Sequence, residues 1–261
     1  SSGSVNFITA RPTEDIEGYA ELSYGSFDRW DVQAAASGAI GEGARGRIAA
    51  RLLKQNAVID NVGGPADAGG VRDEFGVRGS LDLDLASNAQ LLLRAHYEQD
   101  TGVNASPLNS ALRLDDHEIS VGADGVQDTD NRFFGASAEL TARVGNWVIT
   151  SLTAVEGFRQ DYGFDFDGQS AAIANLSYDR DYLQVSQEFF GRTSWQGGDL
   201  LLGLSLAGDE FEQDYLIWCG VLNKATLVGT CQYPGAAARV GPTPASTAPA
   251  VSLLTNLEQT R

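Results

Sequence analysis

Two histidines, two cysteines and a scatter of carboxylates and guanidinium groups are the side chains of this sequence whose types could do chemistry. His96 stands between Arg94 and Glu98 in the stretch LLLRAHYEQ, with all three on the polar side of an alternating pattern. A histidine so placed joins a hydrogen-bond network sooner than it serves as a general base, which needs a substrate proton within reach. His117 sits among Asp115, Asp116 and Glu118, where a lone imidazole is solvated. Asp161, Asp165 and Asp167, with Asp124, Asp128 and Asp130, could offer oxygen ligands to calcium. Their spacing lacks the EF-hand order and its terminal glutamate, so no metal site is assigned. Neither a G-x-S-x-G elbow nor a phosphate-cradling glycine loop is present. The chain is therefore not expected to be an enzyme, and no cofactor is expected.

Cys219 and Cys231 lie twelve positions apart in a turn-rich segment. A redox motif wants C-x-x-C and a zinc site wants further Cys or His nearby. A disulfide in an oxidising compartment fits this spacing better than two free thiols. More informative are Arg78, Arg94, Glu139, Arg143, Glu188 and Arg192, each on the polar face of an alternating stretch. Such charges face water in a soluble sheet and face the lumen in a barrel.

The elements that carry these residues are strands. From Glu74 to Ala86, Phe75, Val77, Gly79, Leu81, Leu83 and Leu85 share one face, and Gly76, Arg78, Ser80, Asp82 and Asp84 the other. Strict alternation of this length excludes a helix, whose period is 3.6. The partner strand sets Leu91, Leu93, Ala95 and Tyr97 against Gln90, Arg94, His96 and Glu98, with Leu92 the exception. Nine such strands are expected. After a short first link at 25–28, tight turns near 41–44, 87–88, 145–146 and 196–198 alternate with long loops at 57–73, 100–131, 160–177 and from 215 onward. A soluble sandwich has no reason to sort its connections this way; an outer-membrane barrel has short periplasmic turns and longer extracellular loops. Trp147 and Trp195 beside short turns, and Trp30 at the opposite end of its strand, fit aromatic girdles at the two interfaces.

Composition agrees with this and sets limits. The chain has 261 residues, 30 of them glycine, and 43% are apolar, which describes a folded protein. No apolar run approaches the length of a membrane helix, a fact that leaves barrels open because their signal is weak per segment. The formal charge of −17 excludes a nucleic-acid partner. Methionine is absent, so the sequence is expected to be part of a longer chain.

One stretch is more specific. Gly3-Ser4-Val5-Asn6-Phe7-Ile8-Thr9, then Arg11-Pro12-Thr13, then an alternating strand ending in Tyr24-Gly25-Ser26-Phe27, resembles the junction between plug and barrel in TonB-dependent outer-membrane receptors. The segments VITSLTAVEGFRQDYGF and YLQVSQEFFGRTS are similar to that family's mid-barrel strands. The resemblance implies an all-β fold: an antiparallel transmembrane β-barrel, incomplete here as an open curved sheet with a short plug remnant. Residues 1–17 would end the plug, 18–214 supply nine of the family's twenty-two strands, and 215–261 belong to an extracellular loop. It further implies a place in the Gram-negative outer membrane, contact with lipid, and a TonB complex engaged through plug residues. The function implied is active uptake of a scarce ligand such as a ferric siderophore, cobalamin or glycan. Arg78, Arg94, Glu139, Arg143, Glu188 and Arg192 would then hold the plug in register. A passive porin or structural barrel is the second reading, and a secreted β-rich enzyme or adhesin the third.

Overall fold

The computed structural model describes residues 8–105, 115, 117–122, 128–165, 168, 175–218, and the short strands 221–223, 228–230 and 259–260. Nine long strands form one antiparallel meander: β1 (Glu17–Gly25), β2 (Arg29–Gly41), β3 (Ala44–Gln55), β5 (Arg72–Ala86), β6 (Ala89–Asp100), β8 (Asp128–Val144), β9 (Trp147–Asp165), β10 (Asn175–Trp195) and β11 (Gly198–Trp218). Two further strands, β4 (Asp60–Asn61) and β7 (Glu118–Ile119), lie in the connections. The sheet does not close. Among the described residues, the free side of β11 is paired only at Glu210 and Phe211, with the two-residue strand Gln259–Thr260.

The pairing register fixes the faces. Arg78 stands opposite His96, Leu92 opposite both Asp82 and Glu139, and Glu188 opposite Leu152, so the polar positions of successive strands share one side. On that side Asp31, Ser37 and Asp82 are buried, whereas Leu22, Ile48, Leu204 and Leu206 on the other side are each more than half exposed. The arrangement inverts that of a water-soluble sheet, which turns its apolar face inward. Leu92, out of phase in the sequence, is buried among the inner polar groups, as is Leu53.

The outer apolar band has a definite height. On β9 it runs from Trp147 through Ile149 and Val155 to Gly157, ending at Arg159; on β8 it runs from Val144 to Phe134, ending at Arg132. Ten residue steps make about 33 Å of strand, and a tilt of 35–45° reduces this to about 25 Å, the apolar height of an outer-membrane barrel. Tyr24 and Trp30 close the band at the end away from the tight turns, their ring centroids 4.8 Å apart. Trp147 and Trp195 lie at the turn end.

Glycines within strands make room for large neighbours. The Phe134 ring lies over Gly157, where a Cβ would fall 2.6 Å from the ring, and Trp147 lies over Gly191 at 3.3 Å. In the tight turns Gly43 and Gly145 adopt φ of 64° and 58°, the left-handed region that a side chain disfavours. Phe27 and Asp28, at φ 62° and 49°, hold the same region without that freedom. Their turn is fastened by Tyr24 Oη donating to Asp28 Oδ1 (2.9 Å), Asn56 Nδ2 to Asp28 Oδ2 (3.0 Å) and the Asn56 amide to the Phe27 carbonyl (2.9 Å).

The long connections are shorter than the sequence pattern implies. β8 begins at Asp128, β9 runs to Asp165, β10 starts at Asn175 and β11 reaches Trp218, so strand extends several residues past the apolar band. There both faces are polar, as with Arg159 and Asp181 outside and Gln160 and Arg180 inside, and the alternation that reveals a strand is lost.

Candidate functional site on the inner wall

The inner face carries two layers. Near the tight turns, guanidinium groups pair with carboxylates and with the segment preceding β1. Arg45 donates to Glu14 (2.5 Å) and Asp84 (2.7 Å) and lies 3.5 Å from Asp82. Arg94 donates to one oxygen of Glu139 (2.9 Å) and Arg11 to the other (3.0 Å), so Glu139 joins a wall strand to a residue six positions before β1. The Thr13 amide and hydroxyl both reach Ser37 Oγ at 2.9 Å. Residues 11–14 thus lie against the wall through side-chain bonds, with one backbone bond from the Ala39 amide to the Glu14 carbonyl. Just upstream, Ile8, Thr9 and Ala10 border a cavity of about 330 Å³ whose wall side is lined by Arg47, Arg78 and Arg94.

Toward the loops the chemistry changes. Asp31 accepts from Arg51 at 2.7 and 3.0 Å and from Arg29 at 3.3 Å. His96 and Glu156 meet at 3.3 Å although β8 runs between their strands. Gly135 stands opposite both, and a Cβ there would lie 2.1 Å from the Glu156 carboxylate. Beside them, Phe133, Phe158, Tyr182 and Phe211 occupy one row across four strands, with successive centroids 6.0, 5.4 and 6.5 Å apart. One step nearer the loops, the Arg180 guanidinium lies 4.0 Å over the Tyr178 ring and donates to Gln160 (2.9 Å) and Gln213 (2.7 Å). Aromatic faces flanked by a held cation can take a planar or π-rich ligand group.

A larger hollow, about 720 Å³, opens on the outer face, lined mainly by Ala36, Gly38, Ile40, Ile48, Leu81 and Leu93. It is a dent where small residues interrupt the apolar band and lacks the convergent polar groups of a binding site.

Of the six charged residues singled out in the sequence, all fall on the inner face by register. Arg94 and Glu139 are joined, and Arg78 lies 3.7 Å from Glu98. Arg143 sits at a tight turn where its backbone exchanges bonds with Asn88. For Arg143, Glu188 and Arg192 there is no ion pair among the described residues. Cys219 and Cys231 lie outside the described residues. No group of three metal-ligating side chains occurs among the described residues. Residues that the sequence reading passed over are Arg11, Arg45 and the aromatic row. Phe158 and Tyr182 carried a signal, since each is an aromatic residue alternating with the outward Val155 and Val185 faces.

No family model matches the sequence, and no curated protein matches it by sequence. Solved structures do match. The ferric yersiniabactin uptake receptor of Yersinia pestis superimposes with a TM-score of 0.64 at 17% identity, over 81% of this chain and 33% of that one. The ferripyoverdine receptor of the outer membrane of Pseudomonas aeruginosa gives 0.60 at 17%, over 80% and 29%. A siderophore receptor of Acinetobacter baumannii gives 0.57 at 12%, over 95% and 38%. The chain spans about a third of the length of these receptors. Over that third, with its apolar face outward, it has the fold of the barrel wall of TonB-dependent outer-membrane siderophore receptors.

Proposed function

We propose that this chain is the plug end and nine wall strands of an outer-membrane receptor that takes up a ferric siderophore in a TonB-driven cycle. The observation that carries this reading is the bridge Arg11–Glu139–Arg94, which holds the segment before β1 against the inner wall. A passive pore has no need of an N-terminal segment ion-paired across its lumen, whereas a plugged transporter must keep its plug in register and release it on demand. Arg78, Arg94, Glu139, Arg143, Glu188 and Arg192 are then wall groups for the plug, in contact with it directly or through its upstream part. The aromatic row with Arg180, at the loop end of the same face, is the part of the wall that meets the ligand. Fold similarity to siderophore receptors supports the ligand class.

The test is uptake of radioactive iron, offered as ferric hydroxamate and ferric catecholate chelates, by an iron-starved Gram-negative host expressing the protein. Uptake should require this protein and collapse when the proton gradient is dissipated. Entry that persists without the gradient and follows concentration linearly would replace this reading with that of a passive porin.

A further inference from the structure

Loops at the rim of a barrel rarely have a core of their own, because they run over a surface. Two connections here do. β4, between β3 and β5, pairs in parallel with β7, between β6 and β8, with Asp60 opposite Glu118 and Asn61 opposite Ile119. The Asp60 amide donates to the His117 carbonyl and the Val62 amide to the Ile119 carbonyl, both at 2.9 Å. Ile119 and Val121 are 2% and 0% exposed, and with Ala68 they form a small buried cluster onto which Ile59 packs. Two of the most deeply buried side chains of the described molecule therefore lie in a connection, not in the sheet.

Asn61 sits at the centre of this contact with its amide fully used. Nδ2 donates to the carbonyls of Pro65 (2.8 Å) and Val121 (2.9 Å), and Oδ1 accepts from the amides of Gly63 (3.1 Å) and Val121 (2.9 Å). An amide side chain has two donors and one acceptor oxygen with two lone pairs, so none of its capacity is left over. The backbones approach closely as well: a Cβ on Gly64 would fall 2.3 Å from the Val121 carbonyl oxygen.

We propose that residues 58–70 and 117–122 of these two connections form one pre-ordered body, locked by Asn61, which is a fixed wall of the ligand mouth above the inner face. Its role at the mouth rests on the receptor reading; the lock itself does not. Conformational freedom already lost in the free protein is not lost again on binding, so a locked wall raises affinity without adding a contact. Asn61 is a positioning residue, acting through the backbone of the neighbouring connection.

The experiment is hydrogen exchange and chelate binding on the full-length protein in detergent, comparing wild type with Asn61→Ala and Gly64→Ala. Both variants should speed exchange at the amides of Asp60, Val62 and Val121 together, by about tenfold or more, and leave β5 and β6 unchanged. Both should also raise Kd for the ferric hydroxamate or ferric catecholate chelate that the wild type binds. Faster exchange at Val121 alone would show two separately ordered loops and overturn the lock. Concerted exchange with unchanged Kd would overturn the mouth role. If wild type binds none of the chelates, the receptor reading and the mouth role fall together, and the exchange result still decides the lock.

Discussion

Glu139 is one residue through which the wall holds the segment before β1, and it does so by accepting from Arg11 and Arg94 together. Its side chain is 20% exposed, that of Arg94 33% and that of Arg11 52%. An exposed ion pair contributes about 0–1 kcal/mol, and a hydrogen bond to a charged group under cover about 1.5–3. The half-exposed Arg11 contact then contributes about 0.5 kcal/mol and the Arg94 contact about 1.5. Glu139→Ala should therefore destabilise the wall locally by about 1.5 kcal/mol and loosen residues 11–14 by about 0.5. Arg11→Ala should loosen the segment by the same amount and leave the wall alone, and the double variant should be no looser than Glu139→Ala. Hydrogen exchange reads this at two amides, Thr13, which donates to Ser37, and Ala39, which donates to the Glu14 carbonyl. About 0.5 kcal/mol is roughly a twofold faster exchange, and high salt should erase the difference. Exchange that rises in β8 and β9 while Thr13 and Ala39 keep wild-type rates would show that the Arg11 contact holds nothing.

Three further outcomes are expected. Leu83→Arg places a charge on the outer face and should cost about 2–4 kcal/mol near the bilayer midplane, measured by unfolding in vesicles; a spin label at 83 that meets water-soluble but not lipid-soluble quenchers would refute the orientation. Gly135→Ala drives a methyl into the Glu156 carboxylate, so the His96–Glu156 contact should open at a cost of about 1–3 kcal/mol; thermal unfolding equal to wild type would refute the close approach. Cys219 and Cys231 should be oxidised to one another in protein isolated from the outer membrane, stabilising the closed loop by about 3 kcal/mol; alkylation of both thiols without prior reduction would exclude the bond.

The strands were legible in the sequence wherever one face meets lipid and the other a polar lumen. Leu81, Leu83 and Leu85 against Asp82 and Asp84 read correctly because two unlike solvents impose a period of two. Where both faces are polar, as around Arg159 and Gln160, the same backbone continues as strand and the sequence gives no sign of it. The β4–β7 contact was invisible for a different reason: its pairing is parallel and only two residues long, and it joins residues 58 positions apart. Nothing in IDNVGGPADAGGV marks Asn61 as the centre of a hydrogen-bond set, because its partners are backbone groups of residues chosen by topology. In the site, alternation sorted Arg78, Arg94 and Glu139 to the inner face but could not pair them. Which charges meet depends on register and on the glycines that leave gaps, as Gly135 does between His96 and Glu156.

Openness of the sheet and occupancy of its inner face are one geometric fact. In hydrocarbon every unpaired backbone group costs several kcal/mol, so a spanning sheet must end in closure. Nine strands spaced about 4.8 Å apart and tilted about 40° would close into a cylinder some 18 Å across between backbones. Side chains projecting inward from both walls would leave no room for another segment. Residues 8–14 nevertheless lie along that face, with Arg11, Thr13 and Glu14 bonded to β8, β2 and β3. The inner face also carries buried leucines and an arginine-lined cavity, which suit a covered wall better than a water-filled bore. The register itself opposes tight closure: β8 through β11 pair over 17 to 21 residues with no bulge, and bulges are what bend strands sharply enough for a narrow barrel. Long pairing without bulges and a segment bonded along the inner wall therefore both oppose closure of these nine strands on themselves.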